Sequence, residues 1–136
     1  MQTNRITPDN ITSLQPHEVF VFGSNLSGIH GAGAAKIAVD KFGARWGQPV
    51  GIQGKTYAIP TKSEGITRTL TLKEIEPYVN EFIMYAVYHV GNTFLTTEIG
   101  CGLAGYTPQQ IAPLFAQAIN VPNIYLPQRF WDILIP

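Results

Sequence analysis

Two glycine-rich stretches each stand between a strand-like run and a helix-like run, and backbone amides are the chemistry they offer. The first is Gly23-Ser24-Asn25-Leu26-Ser27-Gly28-Ile29-His30-Gly31-Ala32-Gly33, and the second is Gly100-Cys101-Gly102-Leu103-Ala104-Gly105-Tyr106. Glycines ahead of a helix leave N–H groups uncovered at the positive end of the helix dipole, so such a loop can cradle a phosphate. Two of them meeting in one crevice suit a diphosphate. Any single Gly-x-Gly is more often a tight turn, and it is the repeated strand-loop-helix context that favours binding.

Other chemistries fit less well. Gly31-Ala32-Gly33-Ala34-Ala35-Lys36 begins like a dinucleotide fingerprint, but Lys36 stands where the third glycine belongs, and no acidic residue closes a following strand to hold a ribose. Pro49 to Thr56 resembles a P-loop with its first glycine replaced by Pro49, and strand-like residues follow where that motif needs a helix. Cys101, between two glycines, could be an activated thiol, yet no motif ties it to His17, His30 or His89, and a packing role is the commoner one. Those histidines are too scattered for a zinc site, so no metal and no cofactor are expected. Glu98, just ahead of the second loop, could supply a carboxylate for acid/base work; a solvated strand position or a lysine partner are the alternatives.

The elements that must carry these loops read as follows. Glu18–Phe22 is an apolar run ending at a glycine, as a buried strand does. Ala34–Phe42 is helix-prone and is closed by Gly43 at C′. Glycines and Pro49 break any period from Ala44 to Gly54, and Lys55–Ile59 then alternates as a strand that Pro60 should end. Thr71 opens an amphipathic helix with Glu74 in its first turn and Pro77 placed within its first turns. Thr93–Ile99 is a third strand, Thr107 with Pro108 starts a third helix, and Asn123–Leu126 is a last strand before a tail around Trp131. Alternating strands and helices predict an α/β fold, with a further strand available around Ile6 to Leu14. Ligands of open α/β sheets lie beyond the carboxyl ends of the strands, so residues 23–33, 60–65 and 100–106 should converge on one crevice.

Composition narrows the setting. A chain of 136 residues with 45% apolar content suits a single domain spanning 1–136. Nine basic residues balance nine acidic ones, so bulk attraction to nucleic acid or acidic membranes is not expected. A local patch from Lys36, Lys41, Arg45, Lys55 and Lys62 could touch a nucleic-acid strand only if those residues share a face. One cysteine, no leader pattern and no long apolar run point to the cytoplasm and to no membrane contact.

Three segments, Gly31-Ala32-Gly33-Ala34-Ala35 running on to Lys41-Phe42-Gly43, Tyr57-Ala58-Ile59-Pro60-Thr61-Lys62, and Ile99-Gly100-Cys101-Gly102-Leu103, resemble those of macrodomains in kind and order. Macrodomains are ADP-ribose-binding modules. Within that superfamily the likeness is to the branch with the terminal ADP-ribose protein glycohydrolase and the DNA ADP-ribosyl glycohydrolase antitoxin, and it spans roughly residues 19 to 127. The resemblance implies a three-layer α/β/α sandwich with a mixed sheet. It implies that Gly31, Ala32, Gly33 and Ala34, with Gly100, Cys101, Gly102, Leu103, Ala104, Gly105 and Tyr106, hold the diphosphate and distal ribose. Asn25 would contact a ribose and Tyr106 would pack on the distal one; a turn cap and a half-buried aromatic are the ordinary alternatives.

Lys62 sits where those relatives keep a lysine that acts on the modified ribose carbon, with a plain surface lysine as the alternative. A free lysine is an ammonium at neutral pH, so burial or a nearby cation must act on it before the amine can attack. Ala104 departs from the protein-acting relative, which has an aspartate there to resolve the lysine adduct. The resemblance therefore implies one of two functions. One is hydrolysis of the ADP-ribosyl linkage on a modified DNA base or protein side chain, with Lys62 and Glu98 as the catalytic candidates. The other is a non-catalytic binder that sequesters ADP-ribose or a related nucleotide.

Overall fold

The computed structural model describes residues 3–136. Strand β1 (Glu18–Asn25) is buried along most of its length, and its alternating side chains feed two separate clusters. Phe20 and Phe22 pack with Ala58 against Ala35, Ala38 and Phe42 of helix α1 (Gly33–Phe42). Val19 and Val21 join the other cluster, with Ile75, Val79, Phe82 and Ile83 of helix α2 (Leu72–Val87). A strand that must be apolar on both faces cannot alternate with polar residues, which is why Val19 to Phe22 read as a continuous run. Each fully buried side chain of this size contributes about 1.5–3 kcal/mol relative to exposure.

The remaining elements are strands β2 (Gly51–Gln53), β3 (Thr56–Lys62), β4 (Thr93–Thr96) and β5 (Ile124–Tyr125), and helices α3 (Pro108–Ile111) and α4 (Gln128–Leu134). Among the described residues the fold is mixed α/β: one five-stranded sheet of order β2-β3-β1-β4-β5 and four α-helices, with 3-10 runs at Glu64–Ile66 and Ala112–Asn120. β1 lies parallel to β3 and β4, β4 parallel to β5, and β2 antiparallel to β3. No helix among the described residues is long and apolar enough to cross a membrane.

Several boundaries differ from the sequence reading. Pro60 does not end its strand but lies within β3, opposite Ser24. β2 pairs only as far as Ala58, so at Pro60 that side of β3 has no partner strand and the missing N–H breaks no ladder bond. The Thr97 N–H makes the last ladder bond of β4, to the Val21 carbonyl at 3.1 Å, the Thr97 hydroxyl reaches the same carbonyl at 2.7 Å, and the strand ends there because the Ile99 N–H turns back to the Thr97 carbonyl. Glu98 therefore belongs to a turn and not to a strand.

Pro77 lies beyond the first turn of α2 and orphans the Lys73 carbonyl, but both residues are exposed and water can serve it. Beyond α3, Pro113 lacks the N–H that would continue an α-helical ladder, and the chain goes on as the 3-10 run. Ile6 makes a single parallel bridge to Leu126 in place of a strand over residues 6–14. The aromatic tail is helix α4, seated by Phe130 and Trp131 in the core and by the Trp131 indole N–H on the Arg5 carbonyl at 2.7 Å.

Local signals for helix ends hold where the partner is close in sequence. Gly43 takes the left-handed conformation (φ 86°) that closes α1. Thr71 and Glu74 form a reciprocal capping box on α2, and Arg68 grips the Glu74 carboxylate at 2.8 and 3.0 Å. That guanidinium and the Thr71 N–H hold the Glu74 carboxyl down at about 2.

Candidate functional site

The carboxyl ends of β1, β3 and β4 open on one cleft of about 220 Å³. Gly23 is where they meet. A methyl placed on its Cα would touch the Thr61 hydroxyl at 3.6 Å and the Gly100 nitrogen at 3.7 Å, ordinary contact distances that show how near β1, β3 and the second loop come to one another here. The cleft is lined by Gly23 to Asn25, Ile29, Gly31 to Ala35, Thr61, Lys62, Ile66, Thr97 to Gly100 and Gly102 to Ala104. The three loops singled out from the sequence thus do share one crevice.

Amide groups dominate one side of it. Helix α1 begins after Ala32, whose side chain cannot cap, and no acidic residue lies in its first turn. The N–H groups of Gly33, Ala34 and Ala35 are the orphans that every helix start leaves. Across the cleft, the N–H groups of Gly100, Gly102, Leu103 and Ala104 find no backbone acceptor among the described residues, whereas those of Cys101, Gly105 and Tyr106 bond Glu98, Gly102 and Gly100. The second loop differs from expectation in one respect. Its following helix, α3, is a single turn already closed by the Thr107 hydroxyl and the Gln110 amide, so no helix start is free there and the loop's own amides are what it offers.

Lys62 ends β3 at the floor of the cleft and is partly buried. Its backbone is fixed on both sides: the Leu26 N–H donates to its carbonyl at 2.9 Å, and an antiparallel bridge joins it to Thr69. The amine has no hydrogen-bond or ion-pair partner among the described residues. Ile66, at the lip beside it, holds a left-handed backbone (φ 58°) that a β-branched residue rarely adopts. The Gly65 N–H bonds the Ser27 hydroxyl at 2.8 Å, tying this lip to the first loop.

Other expected site residues are placed differently. Asn25 lines the cleft, but its amide clamps the loop: Nδ2 donates to the Ile29 carbonyl at 2.7 Å and Oδ1 accepts from the Ile29 N–H at 3.0 Å. Cys101, Gly105 and Tyr106 are not among the lining residues. The Tyr106 hydroxyl donates to the Leu70 carbonyl at 2.6 Å and its ring leans on the core. Burial, and then the Glu98 charge, push the Cys101 thiol up to about 11, which removes it as a nucleophile at neutral pH. Glu98 lines the cleft with both carboxylate oxygens bonded to Arg129, at 2.6 and 2.5 Å, and that guanidinium lowers its pKa. Of the basic residues considered for a patch, Lys55 and Lys62 flank opposite ends of β3, Lys55 is bound to the Leu14 and Gln15 carbonyls, and Lys36 is paired with Asp40.

Two features had no counterpart in the sequence reading. The first loop leans on residues 44–49: the Gly47 N–H donates to Gly28, the His30 ring bonds the Gln48 carbonyl at 3.1 Å, and Ser24 donates to Pro49. The second is a further cavity of about 520 Å³, which shares Gly33, Ala34, Thr97 and Glu98 with the cleft. Pro8, Ile11, Phe20, Ile37 and Pro127 give it apolar walls, and Thr7, Asp9, Asn10 and Arg129 give it polar points. Thr7 is 5% exposed and its hydroxyl has no partner among the described residues. Ile6 to Leu14 carries no periodic signal, so only the fold reveals that this segment walls a cavity.

No family model matches the chain, and no curated protein or solved structure matches it either.

Proposed function

We propose that the cleft binds ADP-ribose or an ADP-ribose derivative, in a three-layer α/β/α fold of macrodomain type, and that Lys62 acts at the ribose carbon bearing the modification. The observation that carries this reading is a single cleft in which, among the described residues, the amides of Gly33 to Ala35 and of Gly100, Gly102, Leu103 and Ala104 have no backbone acceptor and the Lys62 amine has no partner. Amides of this kind suit the oxygens of a diphosphate. The adjoining cavity, reached past Gly33 and Ala34, has the flat apolar walls and scattered polar groups that suit a nucleoside. A molecule with a diphosphate between two sugars matches this order of surfaces.

In hydrolysis, the Lys62 ammonium would give up a proton and its nitrogen would form a C–N bond to the anomeric carbon while the bond to the modified base or side chain breaks. The leaving group takes a proton, and water then releases ADP-ribose and regenerates the lysine. An ADP-ribosylated DNA or protein would be the partner. A second reading, binding without turnover, is favoured by one observation: among the described residues Glu98 is the only carboxylate lining the cleft, and Arg129 holds it.

Calorimetry with ADP-ribose, paired with turnover of ADP-ribosylated DNA and protein, tests both. Binding is expected in the wild type and in Lys62→Ala, with turnover lost in the variant by roughly 10⁴- to 10⁶-fold, the range seen when a nucleophile or the groups that act with it are removed. Binding with no wild-type turnover on either substrate decides for the binder, and absence of binding overturns both readings.

A further inference from the structure

The two cavities meet at Glu98, and its carboxylate there stands against the binding of an anion. Glu98, Gly33 and Ala34 line both cavities, so the negative charge shares a wall with the start of α1. The other charged residues lining them are Lys62, Asp9 and Arg129. With Arg129 set aside, one lysine would face two carboxylates, a poor setting for a diphosphate.

Arg129 answers this by geometry. Its Nε and Nη2 each donate to one oxygen of Glu98, the fork-to-fork arrangement in which a guanidinium best holds a carboxylate. The residue is placed by its neighbours: Phe130 and Trp131 are 0% and 3% exposed, so the first turn of α4 is fixed to the core and carries the guanidinium to the cavity junction. The Glu98 side chain is 35% exposed and that of Arg129 62%, so the pair stands at the mouth of the junction, where solvent and salt partly screen it.

We infer that Arg129 is the charge-compensating residue of the anion site, a positioning residue that neutralises Glu98 so that a phosphate-bearing ligand can occupy the junction. The inference rests on the proposed reading of the cleft and extends it to the C-terminal helix. Glu98, kept ionised and engaged, then serves as the anchor of this pair and not as a proton donor.

The test compares wild type, Arg129→Ala, Glu98→Gln and the double variant by calorimetry with ADP-ribose, ADP and uncharged adenosine. Arg129→Ala should weaken ADP-ribose and ADP by about tenfold or more, because it leaves a carboxylate unpaired beside the anion. Adenosine should change by less than about twofold, and the double variant should recover most of the loss, since the carboxylate that Arg129 neutralises is then gone. An equal loss for adenosine would mean that the arginine only supports the fold. That result, an unrecovered double variant, or an Arg129→Ala protein that binds ADP-ribose like wild type would each overturn the inference while leaving the cleft's reading intact. A wild type that binds adenosine alone would overturn the reading of the cleft and, with it, the inference.

Discussion

Ala34→Asp is expected to make the protein harder to unfold and unable to hold ADP-ribose. Ala34 is the second residue of α1, whose first turn has no acidic group and whose Ala32 cap offers no side-chain acceptor. A carboxylate there meets orphan N–H groups and the positive end of the dipole, which should stabilise the fold by about 0.3–1 kcal/mol. Ala34 also lines both cavities, so the same carboxylate occupies the place proposed for the diphosphate. Two unit charges about 4 Å apart repel by about 4 kcal/mol at the effective dielectric of a protein surface, enough for a loss of 100-fold or more. Denaturant unfolding and calorimetry should move in opposite directions. Ala34→Asn, which keeps the shape without the charge, should retain far more of the affinity. Wild-type affinity in the aspartate variant would place the ligand away from α1.

The second large effect is on the frame of the first loop. Gly28 has φ +69°, and a methyl on it would lie 2.5 Å from the Gly47 carbonyl carbon and 2.6 Å from the Gln48 nitrogen. Both neighbours are backbone, so no side-chain rotation relieves the contact, and the Gly47 N–H bond to the Gly28 carbonyl at 2.8 Å holds the two loops in register. Gly28→Ala should lower the unfolding free energy by about 2–4 kcal/mol, combining the left-handed strain with the overlap. Gly33→Ala is the control. It has a similar φ of +59° with nothing within 4 Å, and should cost only the strain, about 1–2 kcal/mol. Urea unfolding with an unchanged m-value reads the difference, and equal losses for the two variants would contradict the role given to residues 44–49.

The physical range of each signal decided what the sequence disclosed. Gly43, the Thr71 and Glu74 pair, and Thr107 with Pro108 act over a few residues, and each stands where it was expected. The crevice was legible because strand direction alone brings the loops after β1, β3 and β4 to one end of a parallel sheet. β2 was not legible: its three residues have no period of their own, and the segment before it is held by the Gln53 amide, which accepts from the Arg45 N–H at 2.7 Å and donates to the Gln48 carbonyl at 3.0 Å. Pro60 misled because a strand tolerates proline only on an open side, and sequence does not say where β2 ends. Arg129 meets Glu98 across 31 positions, and the second cavity joins Thr7–Ile11 to α4, so both arise from tertiary contact alone. Tyr106 sits next to the cleft in sequence, yet its hydroxyl is taken by Leu70.

Amides from two distant loops are proposed to hold one diphosphate. Amide chemical shifts of the ¹⁵N-labelled protein, followed while ADP-ribose is added, test it most directly. The account predicts that Gly33, Ala34 and Ala35 and, in the same titration, Gly100, Gly102, Leu103 and Ala104 shift with a common saturation curve, while Tyr88 and Val90, at the far end of α2, stay still. Shifts confined to one loop, or none at all at saturating ligand, would contradict it.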